Sequence, residues 1–67
     1  MVSYFYIYKD SSGEWRWRFV ASNSKTIAIS SEGYRNLTDC EHSIKLVQAD
    51  ARMAPITGDQ DYKKLRP

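Results

Sequence analysis

The sequence predicts an α+β fold, a βββα(β) unit in which an antiparallel sheet carries a helix on one face. Three observations lead there. Two runs rich in aromatic and β-branched residues, Tyr4 to Lys9 and Glu14 to Ala21, flank a turn, and a shorter run from Thr26 to Ser30 follows. Farther along, Cys40, Ile44, Val47 and Ala51 recur at helical spacing.

Between the first two strands, Asp10-Ser11-Ser12-Gly13-Glu14 suits a three-residue hairpin loop, whose last residue takes positive φ at least cost when it is glycine. That loop fixes the register. Ile7 then faces Trp17 and Phe5 faces Phe19 on one side, while Tyr8 meets Arg16, Tyr6 meets Arg18 and Tyr4 meets Val20 on the other. A one-residue slip would exchange the faces. A second turn at Asn23-Ser24 leads into the third strand. Whether Ile27 and Ile29 together join the Phe/Trp face depends on a two- or a three-residue loop there. Glu32-Gly33-Tyr34 then breaks the sheet, with Gly33 supplying unusual backbone angles.

Thr38-Asp39-Cys40-Glu41 reads as a capping box, the threonine hydroxyl accepting from the Glu41 amide and the Glu41 side chain reaching back. The helix stripe should pack on the sheet. Pro55 disfavours helix at Ala54, so the helix ends near Arg52 or Met53. Residues 55–67 form a polar tail or a loop followed by a short strand, Asp61 to Leu65.

Sixty-seven residues allow a single domain, 1–67. Burying roughly 4,000 Å² of apolar surface yields on the order of 100 kcal/mol, and ordering the chain at about 1.5 kcal/mol per residue costs about the same. A staple is therefore expected. One cysteine, Cys40, forms no internal disulfide, and with one histidine it furnishes no ordinary Cys/His zinc site. Self-association remains. Net charge is +2, distributed as +2 over residues 1–31, −2 over 32–60 and +2 over 61–67. A basic tail could dock on an acidic helix; solvated surface charge is the plainer reading. No apolar run reaches the ~18 residues of a membrane span, and Met-Val-Ser-Tyr-Phe is no signal peptide. A cytoplasmic protein with no membrane role is expected.

The assembled residues resemble the YegP-like family of small bacterial and archaeal domains. The match runs through Phe5-Tyr6-Ile7-Tyr8-Lys9-Asp10, Gly13-Glu14-Trp15-Arg16-Trp17-Arg18, Ile27-Ala28, Ser31-Glu32-Gly33-Tyr34, and Cys40-Glu41 with Ile44 and Val47. The resemblance implies a three-strand, helix, strand unit that occurs in tandem or as two identical subunits sharing one sheet and exchanging C-terminal strands. For this chain it implies a homodimer with residues near 60–66 swapped. Asn23-Ser24 and His42-Ser43 stand where the family usually has Asn-Gly. No established activity comes with the resemblance.

Chemistry-bearing candidates are few. Cys40, at the second position of the expected helix, has the lowered pKa of a helix N-terminus on one reading and is a buried small apolar residue on the other. His42 has no catalytic partner. Glu32, Asp39 and Glu41 cluster near the helix start, where capping and dipole compensation account for Asp39 and Glu41. Gly-rich phosphate loops, nucleophile elbows and paired metal-ligand spacings are missing from the sequence. The reading is a module without catalytic activity or cofactor.

The stripe Tyr4, Tyr6, Tyr8, Arg16 and Arg18 carries more. It suits a subunit interface, a plain cross-strand ladder, or a platform for single-stranded nucleic acid, to which Lys63, Lys64 and Arg66 would add charge. Trp15, Trp17 and Tyr34 read as core, with a small-ligand pocket between sheet and helix as the alternative.

Overall fold

A computed structural model of the chain describes residues 2–66. Its strands are β1 (Tyr4–Lys9), β2 (Trp15–Val20) and β3 (Thr26–Ile29), paired antiparallel in the order β1-β2-β3. Helix α1 (Leu37–Asp50) runs into a 3-10 turn (Ala51–Met53), and a short helix α2 (Gln60–Leu65) follows. Among the described residues, no helix is long and apolar enough to cross a membrane.

The β1/β2 register is the one expected, with Ile7 opposite Trp17 and Tyr6 opposite Arg18. Both hairpins use the same three-residue loop. In the first, Gly13 donates to the Asp10 carbonyl and Asp10 to the Glu14 carbonyl; in the second, Ser24 donates to Ala21 and Ala21 to Lys25. The last loop residue has positive φ in each, 83° at Gly13 and 70° at Ser24. Serine holds that conformation against the steric cost of its Cβ.

A bulge settles the third strand. Val20 pairs with Thr26 but Phe19 pairs with Ala28, leaving Ile27 as the extra residue. The shift carries Ile29 to the Arg18 side and brings Ser30 opposite Trp17, where its hydroxyl accepts the Trp17 N–H at 3.1 Å. Without the bulge, the three-residue loop would have sent Ile29 to the inner face.

Four expectations are corrected. Residues 32–34 do not break the sheet: Tyr34 returns to β2 and exchanges backbone bonds with Trp15 at 2.7 and 2.8 Å. Gly33 is outside the left-handed region, and the absence of a side chain serves close approach, since a Cβ there would lie 2.9 Å from the Glu14 Cβ. The capping box does not form, because α1 starts earlier, behind an extended Asn36. Asn36 is as good an N-cap type as Thr38, and its amide donates to the Asp39 carboxylate three residues on. Lastly, Asp61 to Leu65 is no strand. Asp59 caps α2 by accepting from the Tyr62 N–H at 3.0 Å, and Asp61 early with Lys63 and Lys64 late suit the helix dipole.

Trp17, Cys40 and Ile44 form the core, with Phe5, Ile7, Trp15, Phe19 and Tyr34 packed around them. Phe5 meets Trp17 edge-on at 5.4 Å and Phe19 at 4.9 Å. The Trp17 indole N–H donates to Ser43 Oγ, which in turn donates to the Cys40 carbonyl. Replacing Trp17 by Ala should cost about 3–5 kcal/mol, enough to unfold the chain, as loss of the cooperative thermal transition would show. Conversely, Ser24→Gly should raise stability by about 0.5–1 kcal/mol in urea titration, since it relieves the positive φ.

Candidate functional site

The outer face of the sheet, away from α1, gathers the stripe. Tyr4, Tyr6 and Tyr8 from β1 alternate outward, and Arg16, Arg18 and Val20 stand opposite them on β2. The bulge adds Ile29 beside Arg18, 65% exposed. Sequence alone did not assign Ile29 to this face.

The two arginines differ. Arg16 Nε donates to Asp10 Oδ2 at 2.6 Å, and among the described residues this is the only salt bridge. Asp10 also accepts from the Ser12 N–H, the Ser12 hydroxyl and the Glu14 N–H. The guanidinium first, then the Glu14 amide and the Ser12 hydroxyl, hold its carboxyl far below the usual carboxylate range. The same hydrogen bond raises the Arg16 pKa. Arg16 thus belongs to the hairpin, and its charge is neutralised. Aspartate before a tight loop is a familiar turn signal, but its diagonal reach to Arg16 was not read from spacing.

Among the described residues Arg18 has no such partner. Its guanidinium lies 5.3 Å from the Tyr6 ring centre and 4.8 Å from that of Tyr8, while those two rings stack at 6.2 Å. Its Nε is buried with no hydrogen-bond acceptor. The tyrosine rings are therefore partly occupied by an arginine before any ligand arrives.

On the inner face, the candidates separate. Trp15 and Tyr34 are joined through their backbones, and the Trp17 donor is taken by Ser43. An apolar cleft of about 330 Å³ opens beside Trp17, lined by Phe5, Phe19, Ala28, Val47 and Ala51 but not by Trp15 or Tyr34. Cys40 is fully buried, four residues beyond the Asn36 cap rather than at the second helical position, and burial followed by Glu41 pushes its thiol pKa up. His42, Glu32, Asp39 and Glu41 are exposed. No metal-holding group of three or more His, Cys, Asp or Glu occurs among the described residues. Lys63, Lys64 and Arg66 lie exposed at the end of α2.

The Asp10 hub carries a pH signature. Its depressed pKa contributes stability that is present above the ordinary aspartate value of about 3.9 and is lost as pH falls below it. The melting temperature of Asp10→Asn should therefore lie below wild type at pH 7. The gap should narrow in acid, as thermal melts followed by tryptophan fluorescence would record.

Known proteins place the chain. The family described as "Domain of unknown function (DUF1508)" matches residues 10–57. A UPF0339 protein of Neisseria meningitidis serogroup B is 42% identical over 53 residues, covering 79% of this chain and 93% of that protein. A UPF0339 protein of Agrobacterium fabrum is 43% identical over 47 residues, 70% of this chain and 74% of the other. The NMR solution structure of a protein from Haloferax volcanii superposes with a TM-score of 0.80 at 28% identity, over 87% of this chain and 97% of that one. With more than half its length matched and its βββα core shared, the chain belongs to the DUF1508 family, the small YegP-like domains its sequence resembles.

Proposed function

We propose that the chain acts as a homodimeric binding module without catalytic chemistry, each copy covering apolar surface that the other leaves open. The carrying observation is a pair of uncovered apolar surfaces. The cleft beside Trp17 is apolar and open, and Val47 of α1 and Ala51 of the 3-10 turn stand exposed along it. The segment after α1 carries the complementary surface: Met53 is 82% and Ile56 83% exposed. Between the 3-10 turn and α2 that segment has no strand partner.

The radius of gyration is 14.7 Å, against about 11 Å for a compact chain of this length. A projecting apolar arm and an open apolar cleft are what subunits exchange when neither can bury its surface alone. The arm of one copy, with Met53 and Ile56, laid against the cleft of the other would supply the burial that a chain this short lacks. The exchanged segment in this reading precedes α2, which is helical and contributes no strand. A binding role fits the exposed tyrosines and aliphatic side chains, while the one thiol is buried.

Sedimentation equilibrium tests the reading. Wild type should be dimeric at micromolar concentration, and Ile56→Asp should weaken association by about 2 kcal/mol or more, roughly thirtyfold. A wild-type chain that stays monomeric and cooperatively folded at ~100 µM, well above a micromolar dissociation constant, refutes it.

A further inference from the structure

The outer face holds a cation, Arg18, with no anionic partner among the described residues. Arg18 lies against two tyrosine rings, an attraction that uses none of its N–H donors. Its Nε is buried without an acceptor, and the salt bridge of this face belongs to Arg16. Burying that one donor unpaired is costly, and an oxyanion arriving from outside offsets the cost.

Beside it lies an open depression of about 320 Å³ lined by Tyr4, Tyr6, Arg18, Val20, Ser24 and Thr26. Its lining offers four hydroxyl groups and one guanidinium, and it contains no carboxylate. Planar, forked donors beside hydroxyls suit a phosphate, which accepts on several oxygens at once. Tyr4 and Tyr6 are 42% and 50% exposed at the rim, so flat aromatic surface adjoins the anion position.

We propose that this depression binds a backbone phosphate of single-stranded nucleic acid, with Arg18 as its anchor and a neighbouring base stacked on Tyr4 or on the open side of the guanidinium. Unstacked bases with an accessible π-face exist in single strands and not within a duplex. One unpaired cation implies few phosphate contacts, hence weak binding and a shallow salt dependence. Arg16 takes no part, being committed to Asp10. The site is separate from the arm and cleft and stands whether or not the chain dimerises.

The test is fluorescence anisotropy with labelled ten-nucleotide DNA and RNA strands at low and physiological salt, alongside NMR titration with inorganic phosphate. Binding should weaken with salt at a slope of about −0.7 to −1.4, one or two phosphates released. Arg18→Lys keeps the charge but loses the planar fork and should weaken binding about tenfold. Thr26→Glu sits on an exposed edge strand, leaves the core intact and should abolish binding. Lys45→Gln, on the exposed side of α1, removes one charge elsewhere and should change nothing. Thermal melts of each variant separate loss of the site from loss of fold. Failure of both strands to bind at ~100 µM protein in low salt overturns the proposal, given the shallow slope expected. So does undiminished binding by folded Thr26→Glu, or a response to inorganic phosphate without any to the strands.

Discussion

The rest of the structure depends on the seating of Trp17 against α1. Its ring packs on Cys40 and Ile44, and its indole N–H donates to Ser43 on the same helix. Its backbone N–H donates to the Ser30 hydroxyl, and its carbonyl accepts the Ser30 N–H at 2.8 Å. One residue of the central strand therefore bears the helix through its side chain and the edge strand through its main chain. Both N–H donors of Trp17 find an acceptor, which spares the penalty of an unpaired polar group in the core. Ser43 and Ser30 matter because they complete that residue.

A single support also limits what the chain can bury. Cys40 and Ile44 lie one helical turn apart, and they are the buried residues of α1. The stripe continues to Val47 and Ala51, but both stay exposed, and the cleft opens there. The arm after Met53 projects with its aliphatic residues bare. Among the described residues α2 does not line the cleft, and uncovered apolar surface collects beside it.

The other face is shaped by one extra residue. The bulge at Ile27 turns Ile29 toward Arg18, so an aliphatic neighbour flanks the tyrosine-held guanidinium. Arg16 and Arg18, two positions apart on one strand, then stand in opposite electrostatic situations. Asp10 neutralises the first and builds the hairpin with it, while the second rests on rings that provide no counter-charge. The same sequence repeat thus yields a structural residue and an unsatisfied one.

By itself the sequence determined the first hairpin and its register, the three strands, the helix with its Cys40 and Ile44 face, and the membership of the Tyr/Arg stripe. These follow from local rules: a loop of set length with glycine at its positive-φ position, alternation at period two, and apolar spacing at period 3.6. The helix start was misplaced because Asn36 and Thr38 are both good caps, and the choice rests on which residues the sheet can bury. An aspartate suits a loop and a helix cap equally well, and with Asp59 capping it α2 takes the place of the expected strand. Only the tertiary structure decided the bulge at Ile27, the return of Tyr34 to Trp15, the close approach of Glu14 to Gly33 and the pairing of Arg16 with Asp10. Each of these is set by a partner remote or diagonal in the chain, and no periodicity within a single segment encodes it.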